Sequence, residues 1–136
     1  MNKTIIEKAS QIIKTCDAAY LGVIDENGAP SVSTVSPLRP EGIHEVYFGT
    51  SLCANKTQRL HKDPRASVCF HKGDDNITLV GEAEVLTDQE TKSRVWESWF
   101  IEIFPGGETD PNYCVIKFST KRASLWVGCE SVEGAL

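Results

Sequence analysis

Short apolar runs separated by turn residues recur along most of this sequence, and they constrain the fold more than any other feature. The runs predicted as strands lie at residues 18–25, 30–36, 44–50, 65–70, 76–86, 113–120 and 123–128. Most links between them are shorter than the dozen or more residues that a parallel crossover needs. The pattern predicts a mainly β fold, an antiparallel barrel with peripheral helices.

Three helices are predicted around these strands. The first covers residues 4–16, and the second covers residues 54–61 and ends before Pro64, which cannot continue a helix. The third begins at Thr87 and carries an apolar stripe at helical spacing, formed by Trp96, Trp99, Phe100 and Ile103. Within the fifth strand, Gly81 predicts a bulge or bend.

The length and charge of the chain narrow its class. Its 136 residues suit one domain over residues 1–136, with a helical N-terminus at 1–16 and a barrel at about 18–128. A formal net charge of -5 argues against binding to nucleic acid or to an anionic membrane. The apolar stretches are too short to span a membrane, and MNKTIIEKAS has no signal-peptide core, so a cytoplasmic location is expected.

The residue types that often carry chemistry show no catalytic or metal motif. Five widely spaced cysteines without a CxxC pair suit reduced thiols better than a disulfide framework or a zinc site. The three histidines lack metal-ligand spacing, so no metal is predicted. A GxSxG elbow, a P-loop and a Rossmann fingerprint are all missing from the sequence.

The stretch VYFGTSLCANKTQRLHKDPRASVCF, residues 46–70, combines donors that suit a phosphate group. Lys56 and Arg59 are three residues apart in the early half of a predicted helix, where the macrodipole and free N–H groups favour an anion. Thr50 and Ser51 add hydroxyl donors at the end of the preceding strand. The alternative is a solvated basic face of a helix, and the pattern alone leaves both interpretations open.

The chain resembles the pyridoxamine 5'-phosphate oxidase-like family of FMN-binding split barrels, over roughly residues 1–128. The resemblance lies in the order of NGAPSVSTVSP, the stretch at 46–70, GEAEVL and YCVIKFSTKRASLWVG. Its most specific parts are T-x5-K-x7-PR-x-S-V and RASLWVG. The resemblance implies a six-stranded antiparallel split barrel that forms a homodimer, with FMN bound in clefts at the subunit interface.

The resemblance also assigns roles to individual positions. Thr50 matches a hydroxyl near the flavin phosphate, and Lys56 matches the phosphate-binding lysine of the family. Trp126 matches a tryptophan that contacts FMN, although packing is the ordinary role of such a residue. The strand that edges the isoalloxazine ring contains Ser33, Thr34, Val35 and Ser36.

Other positions depart from the true oxidase. That enzyme has an arginine on the second strand, where this chain has Ser33 or Thr34, and a basic residue where this chain has Asn55. After RASLWVG the oxidase continues into an Arg/His segment that holds the phosphate of the vitamin, whereas this chain reads CESVEGAL. True pyridoxamine phosphate oxidase activity is therefore not expected. Arg59, one helical turn after Lys56, is predicted to supply the missing charge.

The resemblance leads to an FMN-dependent oxidoreductase acting on an unknown small molecule. One alternative is a non-catalytic flavin-binding or stress-related protein, and another is a relative that uses deazaflavin. Haem is disfavoured because no histidine stands at an obvious cleft position, and an empty dimeric scaffold would leave Thr50, Lys56 and Trp126 without a role. The apolar stripe that begins at Trp96 adds a separate argument for a homodimer.

Overall fold

Seven strands form one antiparallel sheet in the computed structural model, which describes residues 1–136. They are β1 (Ala19–Ile24), β2 (Pro30–Val35), β3 (Glu45–Ser51), β4 (Arg65–Lys72), β5 (Asp75–Leu86), β6 (Tyr113–Val127) and β7 (Glu130–Ala135). Their hydrogen-bonded order is β2-β1-β4-β5-β6-β3, and β7 pairs with the second half of β6. The predicted mainly β fold, an antiparallel split barrel with peripheral helices, is confirmed, but the sheet has seven strands instead of six because β7 adds to β6.

Three helices accompany the sheet: α1 (Lys3–Ile13), α2 (Asn55–Lys62) and α3 (Gln89–Arg94). The prediction of a long third helix is wrong, because α3 ends at Arg94 and the backbone of Glu97 is extended. A short 3₁₀ helix follows at Ser98–Glu102. Its Phe100 is buried, whereas Trp99 and Ile103 are 46% and 57% exposed. The apolar stripe is therefore split between a buried part and an exposed part.

The last two predicted strands form a single strand, β6, which runs for 15 residues beside β5. Their register shifts between Val80 and Gly81, so that Val80 pairs with Arg122 and Gly81 pairs with Thr120. Lys121 is the extra residue of this bulge, and it lies in the polar run that made the sequence look interrupted. The bulge predicted at Gly81 is confirmed. Residues 130–135, which lie beyond the barrel predicted at about 18–128, form β7.

The buried residues form two clusters on either side of the β3–β6 pair. The main core contains 23 residues from the inner faces of the strands, from α1 and from α2. The smaller cluster packs α3 and the 3₁₀ helix against the outer face of β3 and β6, through Leu38, Val95, Phe100, Phe104, Tyr113 and Val115. Phe100 lies so close to Gly49 that a Cβ atom there would be 2.5 Å from its ring. The helices are too short or too polar to span a lipid bilayer.

Replacing Gly81 with alanine should destabilise the fold strongly. A Cβ atom at this position would lie 2.0 Å from the carbonyl oxygen of Ser119, and a backbone atom cannot rotate away as a side chain can. We expect a loss on the order of 2–4 kcal/mol in the free energy of unfolding, measured by urea denaturation. Gly134→Ala is the control, since nothing lies within 4 Å of its added Cβ. Equal midpoints for the two variants would contradict this account of the bulge.

Candidate functional site

The barrel is open between its two edge strands, and most of the predicted site residues border this opening. β2 pairs only with β1, and β3 pairs only with β6. The two edges meet at one bridge between Pro37 and Phe48, next to a hydrogen bond from the Leu38 N–H to the Tyr47 carbonyl (2.8 Å). Continuing that register would set residues 34–36 opposite residues 49–51, but no ladder forms there. We call this gap the split.

The β2 side of the split offers backbone donors and acceptors. In the turn before β2, the Asp25 N–H donates to the Ala29 carbonyl (2.8 Å). Hydrogen-bonded pairs alternate along an antiparallel ladder, so the backbone groups of Val32 and Thr34 point away from β1 and into the split. The side chain of Val35 is buried in the core, and that of Thr34 is exposed. This strand therefore borders the split with its backbone and with the half-buried hydroxyl groups of Ser33 and Ser36.

The β3 side of the split is fixed by hydrogen bonds to α2 and β6. Thr50, 8% exposed, lies at the end of β3, and its carbonyl accepts from the Cys114 thiol (3.4 Å). The Thr57 hydroxyl of α2 donates to the Ser51 carbonyl (2.7 Å). The Gln58 amide donates to the Leu52 carbonyl (2.7 Å). These bonds hold the first turn of α2 against the end of β3.

Ser51 is already engaged within the chain. Its hydroxyl donates to the Asn112 side chain (2.9 Å) and accepts from the Cys53 N–H (3.1 Å). The Leu52 N–H also donates to the Asn112 carbonyl (2.9 Å). Ser51 and Asn112 thus shape the turn between β3 and α2. Nothing local in the sequence pointed to Asn112, because it lies 61 residues from Ser51.

The two predicted cations differ in their surroundings. Arg59 donates from Nε and Nη2 to the two carboxylate oxygens of Glu26 (2.9 and 3.2 Å) and from Nη1 to the Ser31 hydroxyl (3.1 Å). Lys56 is half-buried and has neither an ion pair nor a hydrogen bond. The other lysines that are not exposed have partners, since Lys92 donates to a carbonyl and Lys117 pairs with Glu45. Among the lysines that are not exposed, Lys56 is therefore the one with neither an ion pair nor a hydrogen bond.

Trp126 lies far along β6 from the predicted residues at the end of β3. It pairs with Asn76 near the start of β5, whereas Thr50 pairs with Cys114 near the start of β6, where β6 runs beside the end of β5. Trp126 lies thirteen positions after Tyr113, the partner of Ser51. This corresponds to roughly 43 Å measured along an extended strand. Within one chain, Trp126 is therefore not near the β3 side of the split.

A separate cavity of about 440 Å³ lies beyond the bridge between Pro37 and Phe48. It is lined by Arg39, Pro40, Glu41, Gly42, His44, Glu45, Tyr47, Arg94 and Val95. Arg94 stands over the Tyr47 ring (5.0 Å to the centroid), and Arg39 has a φ of 42°, which is rare for a residue other than glycine. None of the predicted site residues lines this cavity. No group of three His, Cys, Asp or Glu residues is placed to hold a metal.

Comparisons with known proteins place these features in a wider group. The family model described as "Pyridoxamine 5'-phosphate oxidase like" matches residues 5–134. A Clostridium acetobutylicum protein related to general stress protein 26 of Bacillus subtilis has a similar structure (TM-score 0.88, 19% identity, 100% of this chain and 97% of that chain). General stress protein 26 from Bacillus anthracis is also similar (TM-score 0.80, 20% identity, 96% of this chain and 98% of that chain). A search of curated proteins gave no match.

Thiol labelling should test the packing beneath the split. Burial raises the pKa of the Cys114 thiol to about 11 and also raises that of Cys16, and the thiolate is the reactive form. With a maleimide at neutral pH, the exposed Cys53 and Cys129 should react fast, whereas Cys16 and Cys114 should react only after unfolding in urea. Mass spectrometry of digested protein identifies each site. Rapid labelling of Cys114 in the native protein would contradict the hydrogen-bonded contact of β6 with Thr50.

Proposed function

Since the chain belongs to the pyridoxamine 5'-phosphate oxidase-like family, we propose that it binds FMN in the split and acts as a flavin-dependent oxidoreductase on a small molecule. One observation supports this most directly. Lys56 is partly buried beside the open edge of the barrel without a partner for its charge. Such a cation is stabilised when an anionic group of a ligand comes within hydrogen-bond distance.

The phosphate of FMN would be held at the β3 side of the split. Lys56 supplies the charge, and Thr50 supplies a hydroxyl at the end of β3. Ser51 serves this site by holding the turn in place through Asn112, because its own hydroxyl is engaged. α2 is kept in position by Thr57. The donor set fits a phosphate monoester, which needs fixed donors and at least one cation.

The flavin ring would lie along the β2 side. The edge of an isoalloxazine ring carries both donors and acceptors, and the backbone groups of Val32 and Thr34 provide the complementary set. Ser33 and Ser36 add hydroxyl groups, and Val35 holds the strand in the core. Bound FMN supplies the electron-transfer chemistry, and the protein supplies orientation and shielding from water.

A homodimer would complete this site. The outer face of the sheet exposes Val32 (67%), Tyr20 (38%) and Trp126 (43%). Four residues that pair in a row across this face are small or apolar. They are Val32 of β2, Gly22 of β1, Ser67 of β4 and Val80 of β5. A second copy covering this face would bury it and could bring its own Trp126 to the split. The separation of Trp126 from Lys56 within one chain supports such a shared site.

The substrate would approach from the cavity beyond the bridge between Pro37 and Phe48. Its volume of about 440 Å³ lies within the range of small-molecule pockets. The ion pair between Arg39 and Glu97 is long (3.9 Å), and Arg94 contacts an aromatic ring and no carboxylate. The lining also carries two carboxylates, those of Glu41 and Glu45, so the cavity suits a small polar substrate without selecting one sign of charge. The chain forms β7 where the true oxidase has an Arg/His segment, so the substrate would differ from that of the oxidase.

The second candidate is a flavin-binding protein without turnover. The names of two similar structures, general stress protein 26 and a protein related to it, favour the stress-related form of this candidate. A deazaflavin-dependent relative is the third candidate. Purified protein that is bleached by NADH or NADPH without oxygen, and that regains its yellow colour with an acceptor, would favour the oxidoreductase. A chromophore that stays oxidised would favour the carrier.

Lys56→Ala should weaken binding of FMN about tenfold to a hundredfold, because a charge-assisted contact is lost. Binding of riboflavin, which lacks the phosphate, should change little. Titration of flavin fluorescence measures both affinities. Lys8→Ala is the matched control, since Lys8 is an exposed helical lysine outside the split. Equal losses for FMN and riboflavin, or no loss in Lys56→Ala, would refute the phosphate assignment.

The protein should have twice its chain mass of 15.0 kDa in solution, as measured by light scattering after gel filtration. Val32→Glu places a charge on the exposed apolar face and should yield monomers with weakened FMN binding. Gln11→Glu adds the same charge on the exposed face of α1 and should leave both properties unchanged. A Val32→Glu dimer with normal FMN affinity would place the interface elsewhere.

A further inference from the structure

Glu26 and Arg59 form a two-point contact between separate elements. Both carboxylate oxygens of Glu26 accept hydrogen bonds from the guanidinium, and the Ser31 hydroxyl accepts a third. The Arg59 side chain is only 22% exposed, although that of Glu26 is 62% exposed. Bidentate pairs of this kind are better oriented than ordinary surface ion pairs. We call these three residues the latch.

The latch spans the split. Glu26 lies in the turn between β1 and β2, and Ser31 lies on β2 itself. Arg59 lies on α2, which Thr57 and Gln58 attach to the end of β3. At its other end, β2 is joined to β3 by the bridge between Pro37 and Phe48. The edge of β2 is therefore held at both ends, by the bridge at one and by the latch at the other.

The negative charge of Glu26 and the hydrogen bonds of the latch weaken the ability of Arg59 to bind an anion. The hydrogen bonding that Glu26 receives from Arg59 holds the pKa of the Glu26 carboxyl below its usual value, so this carboxylate is charged at neutral pH. Three of the five N–H groups of the guanidinium are occupied. A phosphate dianion at Arg59 would also face the negative charge of Glu26. Lys56 forms no ion pair, so no paired carboxylate competes with an anion there.

We infer that Arg59 is a positioning residue, which holds the β1–β2 turn against α2 and thereby sets the width of the split. It is not a ligand of the flavin phosphate. The inference rests on the proposed function in taking FMN as the ligand, but the latch belongs to the free protein. It replaces the role expected for Arg59 from its spacing, which was to supply the charge missing beside Lys56.

The two roles of Arg59 predict opposite effects of Glu26→Gln. If Arg59 binds phosphate, removal of the competing carboxylate should tighten FMN binding. If Arg59 positions β2, the same change should weaken it, because the turn is released. A phosphate ligand also affects FMN alone, whereas a positioning residue affects FMN and riboflavin equally, since both rings would use the β2 edge.

The test compares Glu26→Gln, Arg59→Gln and the reversed pair Glu26→Arg with Arg59→Glu. We expect each single variant to weaken FMN and riboflavin by the same factor, about three- to tenfold, and the reversed pair to regain most of the loss. Glu7→Gln, an exposed carboxylate of α1 without an ion pair, is the control. Tighter FMN binding by Glu26→Gln, or a loss confined to FMN in Arg59→Gln, would overturn the inference.

Hydrogen exchange of the free protein tests the latch without any flavin. Amides of Ser31 and Ser33 should exchange about three- to tenfold faster in Glu26→Gln than in the wild type or in Glu7→Gln. Unchanged exchange would overturn the inference even if FMN binds. If the wild type binds neither FMN nor riboflavin, the proposed function fails, and the exchange result alone decides whether the latch holds β2.

Discussion

The structure depends on the failure of β2 and β3 to pair along their facing edges. Backbone N–H and C=O groups must find partners, and an exposed strand edge leaves a row of them free. Here a single bridge between Pro37 and Phe48 joins the edges, and beyond it they separate. The opening therefore presents ordered donors and acceptors that are held by a rigid barrel. A planar ligand with polar edges can form hydrogen bonds with the edges of both β2 and β3 without any rearrangement of the core.

The same architecture explains why one chain holds only part of a site. β6 pairs at its start with β3 and at its end with β7. It therefore carries Cys114 next to Thr50 and Trp126 at its opposite end. The bulge at Gly81 lets β5 and β6 bend together without ending the ladder. Long strands of this kind build a stable barrel, but they keep the two groups of predicted residues apart. A second copy that covers the exposed outer face would resolve both the separation of these residues and the exposure of Val32.

The sequence predicted well what depends on local pattern. α2 lies at residues 55–62 against a prediction of 54–61, and the bulge at Gly81 follows from a residue without a side chain. Local pattern predicted the wrong structure where contacts between residues far apart in sequence determine the backbone. Trp96 and Trp99 have helical spacing, yet the extended backbone at Glu97 ends the regularity, because Phe100 packs against Gly49. The strand beyond residue 128 was missed since its alternation is weak and its partner, β6, supplies the pairing.

The cations of α2 show most clearly what sequence cannot distinguish. Lys56 and Arg59 stand one turn apart, and each looked equally suited to an anion. Their difference arises from Glu26, which is 33 residues upstream of Arg59 and reaches it only because the β1–β2 turn folds over α2. A cation that is paired with a carboxylate mainly orients the elements that it joins. A partly buried cation without such a partner attracts an anion. In a chain with a net charge of -5, Lys56 is then the unpaired, partly buried cation in the first turn of α2, and an anionic cofactor would be drawn to it.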